Sequence, residues 1–298
     1  MSTAITGVFG PVISTFDAAG AVDLEAFRAN LEAHLTAGLD GVVVAGSTGE
    51  AALLEEGERA ALVEVARAAV PADRRLIVGT GAESTVACVR RCREAAARGA
   101  DACLVVAPHY YSSSMTPAAL QAHYERVADE SPVPILLYNI PKYMHFKLPP
   151  DLVARLAGHD NVVGMKDSSG DLVTMAEYLR AQGPHFGVIT GHGGTWHTAL
   201  EMGVVGGILA VALFAPALSL EVLQRVRAGD TAGAAEAQRR LTPLALDIVG
   251  RLGIPAVKVA MTRVGLRGGP VRLPLLDAPA EDAAAVERLL AAAGVTAA

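Results

Sequence analysis

Eight short apolar runs rich in β-branched residues punctuate the chain: Val8–Thr15, Gly41–Gly46, Leu76–Gly79, Ala102–Ala107, Ile135–Tyr138, Val162–Lys166, Phe186–Thr190 and Gly207–Val211. Between them lie longer stretches whose apolar residues recur at helical spacing. Regular alternation of this kind predicts parallel strands joined by crossover helices. Val42-Val43-Val44 and Leu104-Val105-Val106 are apolar without interruption. That fits strands covered on both faces and disfavours an antiparallel sandwich. The helices carry readable starts: Asp23 before Leu-Glu-Ala-Phe, Ser84 before Thr-Val-Ala-Cys, and Thr116 followed by proline at a first-turn position.

After the eighth run the spacing is helical from Pro216 onward, including a segment from Asp230 to Leu241 and a last one from Glu281 to Gly294. The expected fold class is α/β, a (β/α)8 TIM barrel over residues 1–222 with a C-terminal helical extension over 223–298. A doubly wound sheet also alternates strand and helix, but it needs a Gly-rich phosphate turn after its first strand. Thr15-Phe-Asp-Ala-Ala-Gly20 does not supply one.

Composition narrows the function classes. The chain is 52% hydrophobic and 19% charged, which suits an enzyme with a large core rather than a disordered or fibrous protein. Net charge is −6, and the one dense basic run, Arg90-Arg91-Cys92-Arg93, is followed at once by Glu94, so nucleic acid is not an expected partner. No apolar stretch has membrane-spanning length, and Met1-Ser2-Thr3-Ala4 lacks the start of a signal peptide, so a cytoplasmic location without membrane contact is expected. Cys88 and Cys92 sit four apart on an expected helix and Cys103 in an expected strand. They read as reduced core thiols rather than metal ligands, since no close-spaced His or Cys pair completes a zinc set.

Barrel enzymes assemble their sites where the strands end, so the residues closing each apolar run are the candidates. These are Gly46-Ser47-Thr48-Gly49-Glu50, Pro108-His109-Tyr110-Tyr111, Tyr138-Asn139-Ile140-Pro141 and Lys166-Asp167-Ser168-Ser169-Gly170. Lys166 follows an apolar run that delivers its amine toward the barrel mouth, and burial favours the free amine that attacks ketones. The plainer alternative is a snorkelling lysine paired with Asp167. Tyr138 ends the adjacent strand, within reach as a proton carrier for that amine or else as a core residue with a satisfied hydroxyl. Ser47 and Thr48, flanked by Gly46 and Gly49, present a turn able to cradle a carboxylate, or else the N-cap of a following helix.

Gly46-Ser-Thr-Gly-Glu50, Tyr138-Asn-Ile-Pro141, Gly164-Met-Lys-Asp-Ser-Ser-Gly170 and Gly206-Gly-Ile together resemble the dihydrodipicolinate synthase / N-acetylneuraminate lyase family of class I aldolases over almost the whole chain. The resemblance implies that Lys166 forms a Schiff base with pyruvate or another 2-oxo acid and that Tyr138 relays protons and contacts the substrate carboxylate. It further implies that Ser47 and Thr48 bind that carboxylate beside Gly46, and that Ile208 lines the pyruvate pocket. Tyr110 matches a tyrosine that crosses a subunit interface to complete a hydroxyl relay with Ser47 and Tyr138, in a homotetramer built as a dimer of dimers. No metal or organic cofactor is implied, because the imine itself withdraws the electrons. Glu83-Ser-Thr, Gly99-Ala-Asp-Ala, Tyr110-Tyr111, Gly253-Ile-Pro255 and Gly268-Gly-Pro270 look most like 4-hydroxy-2-oxoglutarate aldolases, which join pyruvate and an aldehyde such as glyoxylate.

One departure bears on the aldehyde. Dihydrodipicolinate synthases usually place an arginine two residues after the Tyr-Asn-x-Pro proline; here that position is Tyr143, within Lys142-Tyr-Met-His-Phe-Lys147. Neither lysine nor histidine offers the bidentate fork that arginine presents to a carboxylate. Tyr143 and His145 are therefore candidates for a second-substrate pocket, the alternative being a variable exposed loop. The expected function is a 4-hydroxy-2-oxoglutarate aldolase-like lyase, ahead of dihydrodipicolinate synthesis from pyruvate and aspartate semialdehyde. A reading from a different class is a non-catalytic barrel that binds 2-oxo acids.

Overall fold

A computed structural model describes residues 5–296. Its strands are β1 (Gly7–Pro11), β2 (Gly41–Val44), β3 (Arg75–Gly79), β4 (Ala102–Val106), β5 (Ile135–Asn139), β6 (Val162–Asp167), β7 (Gly187–Thr190) and β8 (Gly206–Ile208). They form a closed barrel in chain order, and every neighbouring pair is parallel. The continuous apolar runs follow from this closure: helices cover the outside, side chains fill the inside, and β1, β2, β5 and β6 are buried at every position.

The crossovers are α1 (Leu24–Thr36), α2 (Glu56–Ala69), α3 (Thr85–Ala97), α4 (Pro117–Glu130), the pair α5 (Pro141–Met144) and α6 (Pro150–Leu156), α7 (Leu172–Leu179) and α8 (Trp196–Met202), with α9 (Pro216–Arg227) closing the ring. Asp23, Ser84 and Thr116 cap their helices as expected, each side chain accepting from a backbone N–H of the first turn. β1 and β8 stop furthest short of their expected ends. β1 stops at Pro11 because the chain then swings over the barrel end, where Ser14 Oγ donates to Gly49 O at 2.7 Å. After β8, Ala210–Leu213 forms a 3-10 turn rather than a further stretch of strand.

Beyond α9 come α10 (Thr231–Pro243), a π-helical segment Leu244–Leu252, α11 (Ile254–Arg263) and α12 (Ala280–Ala292). Residue 222, the last of the barrel as read from sequence, lies within α9. The π segment begins where Pro243 withholds a backbone N–H and breaks the α-helical ladder. The extension is tied to the barrel by polar contacts, among them Asn30 of α1, which both donates to and accepts from the Arg267 backbone at 2.8 and 2.9 Å.

Cys88, Cys92 and Cys103 are free and buried, with Cys92 Sγ 3.2 Å from Thr80 Oγ1, as core thiols. Among the described residues no group of His, Cys, Asp and Glu is arranged to hold a metal, and no helix is long and apolar enough to cross a membrane.

Candidate active site

All strands of the barrel point the same way, so the carboxyl ends of β2, β5, β6 and β8 open on one face and bring their terminal residues around one mouth. Tyr138 of β5 and Lys166 of β6 are direct partners in the ladder. Both are buried, at 4% and 5% exposure, and Lys166 Nζ lies 4.4 Å from the centroid of the Tyr138 ring. Among the described residues Lys166 enters no ion pair.

The alternative pairing with Asp167 fails on strand geometry, since consecutive side chains leave opposite faces. Asp167 is instead held by Asn139 Nδ2 at 2.6 Å and Ser169 Oγ at 2.7 Å, while Asn139 Oδ1 accepts from Leu148 N–H at 3.0 Å. Burial raises the Asp167 carboxyl above the usual carboxylate range, against the lowering effect of those hydrogen bonds. This web locks the end of β6 to the end of β5 and to the loop after α5.

The stem of Lys166 needs the glycine that follows β7. A Cβ on Gly191 would meet Lys166 Cε at 2.6 Å and press on the Ser168 hydroxyl, so no larger residue fits beside the amine. His192, next along, has its Nδ1 3.1 Å from Thr195 Oγ1, and burial lowers its pKa.

Gly46, Ser47 and Thr48 lie in the turn after β2, as expected for a mouth loop. Gly49 N–H donates to Gly46 O at 3.0 Å and Glu50 N–H to Ser47 O at 3.1 Å. The helix-cap alternative is not what forms: Ala51–Leu53 is a single 3-10 turn with no side-chain cap, and Glu55 caps α2 through a reciprocal box with Glu58. Ile208 closes β8 and is fully buried.

Three candidates stand further out. Tyr110 is 77% exposed, its ring packed edge-on against Tyr111, and its backbone N–H donates to Glu83 at 2.8 Å. Among the described residues no hydrogen bond within the chain joins it to Tyr138. Tyr143 sits on α5, partly exposed, and burial with the nearby Tyr138 phenol raises its pKa. His145 ends α5 in the left-handed region at φ 63° and is exposed. Lys142 is engaged with Gly250 O at 3.0 Å, and Lys147 with Asp171 at 2.5 Å.

A cavity of about 400 Å3 elsewhere, between α1, α9 and the end of α12, has mainly apolar walls and touches neither Lys166 nor Tyr138.

The family model described as the dihydrodipicolinate synthetase family matches residues 4–293. The chain belongs to that family. It is 33% identical over 285 residues to a 4-hydroxy-tetrahydrodipicolinate synthase of Methanothrix thermoacetophila, covering 95% of each chain. A synthase of the same name from Roseobacter denitrificans is 35% identical over 276 residues, covering 93% of this chain and 94% of the relative. The structure is similar to that of a dihydrodipicolinate synthase from Acinetobacter baumannii in complex with pyruvate, with TM-score 0.93, 28% identity, and coverage of 98% and 99%. Family membership makes this protein an enzyme of the aldolase-type lyases that work through a pyruvate Schiff base.

Sequence reasoning missed the Asn139–Asp167–Ser169 web, the spatial role of Gly191 and the buried partner of Glu50. Asp167 and Asn139 could have been found from register alone, because they directly follow the candidates Lys166 and Tyr138 on adjacent strands. Glu50's partner is distant in sequence, Lys258 of α11 at 2.6 Å, and no local pattern announces it.

Proposed function

We propose that this protein joins or cleaves a carbon–carbon bond between pyruvate and an aldehyde, with Lys166 as the covalent nucleophile. The carrying observation is a buried lysine with no ion-pair partner among the described residues, its Nζ 4.4 Å from the ring of a buried tyrosine on the adjacent strand. The free amine adds to the C2 ketone and gives a carbinolamine. Tyr138 delivers the proton with which the C2 hydroxyl leaves as water, forming the protonated imine. Loss of a C3 proton gives the enamine, whose C3 attacks the aldehyde carbon; the aldehyde oxygen takes up a proton and water then releases the product from the lysine. Cleavage runs the same steps backward. Ser47 and Thr48, with the backbone of the Gly46 turn, hold the pyruvate carboxylate, and Ile208 lines the pyruvate pocket. The imine is the electron sink, so the proposal includes no metal or organic cofactor.

For the aldehyde, the names of the similar proteins favour aspartate semialdehyde; once the carbon–carbon bond has formed, its own amine adds to C2 and displaces Lys166 in place of water, closing the ring of 4-hydroxy-tetrahydrodipicolinate. This reverses the order expected from sequence. Cleavage of 4-hydroxy-2-oxoglutarate stands second, on the observation that Tyr143 occupies the position where synthases usually carry arginine. We further propose a cytoplasmic homotetramer, a dimer of dimers in which Tyr110 reaches a neighbouring subunit. Three unpaired cysteines suit a reducing compartment, and the exposure of Tyr110 and Tyr111 suits an interface. Sedimentation with parallel assays tests the assembly: activity that persists in the isolated monomer removes Tyr110 from the relay.

Borohydride reduction with pyruvate tests the chemistry. Intact mass should show one reduced pyruvyl adduct per chain, absent in Lys166→Ala. No adduct in the wild type would return the protein to a non-catalytic 2-oxo acid-binding barrel. Turnover of the two substrates then ranks the aldehydes, and faster cleavage of 4-hydroxy-2-oxoglutarate than condensation of aspartate semialdehyde would restore the aldolase reading.

A further inference from the structure

The turn that carries Ser47 and Thr48 is bracketed by two non-glycine residues in the left-handed region, Ala45 at φ 53° and Glu50 at φ 54°. Side chains other than glycine resist that conformation, so something outside the turn must hold it. For Glu50 the holder is visible. Its carboxylate is fully buried, with Oε1 2.6 Å from Lys258 Nζ, itself 2% exposed, while Oε2 accepts from Arg272 N–H at 2.9 Å. Lys258 Nζ also donates to Pro270 O at 2.7 Å and lies 4.6 Å from the centroid of the Phe16 ring; the Arg272 guanidinium lies 4.2 Å from the same centroid. Arg272 in turn donates to Leu53 O and Gly20 O and pairs with Glu58. Burial pulls the Lys258 amine down and Glu50 holds it up.

We propose that Glu50 and Lys258 are positioning residues, supplied by opposite ends of the chain, that fix the Ser47–Thr48 turn and thereby set the affinity for the 2-oxo acid carboxylate. A buried ion pair adds little net stability over apolar packing, so the fold alone does not require one here. It does define a single geometry for the backbone that bears it. Glu50 N–H closes the turn onto Ser47 O, so movement of the Glu50 side chain is transmitted to the serine one bond away. The C-terminal extension thus acts on the site without touching substrate. The inference rests on the carboxylate role given above to Ser47 and Thr48.

The experiment is pyruvate titration of the full-length protein, trapped with borohydride and read as adduct by intact mass. Glu50→Gln keeps the shape and removes the charge; it should raise the half-saturating pyruvate at least tenfold while the plateau of adduct is retained, and leave the KM for the aldehyde unchanged. Lys258→Met should raise it further, because it strands a buried carboxylate, and the double variant should recover part of that loss. If Lys258→Met does not fold, Glu50→Gln carries the test. Ser47→Ala/Thr48→Val separates the layers. An unchanged half-saturation there overturns the carboxylate role itself. A raised value there, with wild-type half-saturation in Glu50→Gln, overturns only the positioning role.

Discussion

Along β6, Lys166 and Asp167 leave the strand on opposite sides, and each is held by different neighbours. Asp167 is held by Asn139 and Ser169, whereas Lys166 faces the Tyr138 ring and the glycine gap at Gly191. The hydroxyl of Tyr138 is therefore the group to remove. Tyr138→Phe keeps the ring beside the amine and should lower turnover by roughly two to four orders of magnitude, the contribution usual for a positioned acid or base. Steady-state rates with rapid-mixing imine formation check it, and wild-type rates in both would take Tyr138 out of the relay. At this scale sequence is informative about identity and poor about partners. Lys166, Tyr138 and Ser47 stand out as candidates because a barrel enzyme puts its chemistry at strand ends. The grip on Asp167 is legible only once β5 and β6 are set in register, and the exposure of His145 depends on a turn whose left-handed backbone no local pattern predicts.

Whole elements were easier to read than their ends. Strands buried on both faces give uninterrupted apolar runs, so each of the eight expected runs overlaps a strand of the barrel. The misplaced ends of β1 and β8 fall where the chain turns from barrel into mouth loop, and there the bonding partner, not the side-chain character, decides. The extension was legible as helix but not as a structural brace, since its links to the barrel span most of the chain. Asn30 shows how specific those links are: one side chain satisfies both the N–H and the C=O of Arg267. Asn30→Ala removes both hydrogen bonds and should destabilise the protein by about 2 kcal/mol, at about 1 kcal/mol for each bond. Urea unfolding at fixed protein concentration measures it. A midpoint equal to wild type would mean that water replaces the amide and that the extension is anchored elsewhere.

Across the whole molecule, acid sensitivity should come chiefly from two buried histidines of the barrel helices, His34 on α1 and His123 on α4. Burial lowers His34 and His123 from the ordinary value of 6.5 to about 4, and Nε2 of each is buried without a hydrogen-bond partner among the described residues. A histidine depressed in this way binds protons in the unfolded chain before it does in the folded one. Stability is then whole above pH 6.5 and falls as pH drops toward 4, the reverse of a histidine that gains a carboxylate partner. Each contributes a slope of up to about 1.4 kcal/mol per pH unit in that window, so the pair dominates exposed carboxylates such as Asp171, whose depression acts only at lower pH. Asp167 works weakly the other way, because its raised carboxyl prefers the proton in the folded state. The barrel should therefore lose on the order of 3–4 kcal/mol between pH 6.5 and pH 5, visible as a falling urea midpoint at constant protein concentration. His34→Leu should be flatter across that range, since it removes one of the two histidines most strongly depressed, while His123 and, in the same direction, His192 remain. Parallel curves for variant and wild type would show that His34 accepts its proton without cost to the fold, and would shift the acid response to the carboxylates.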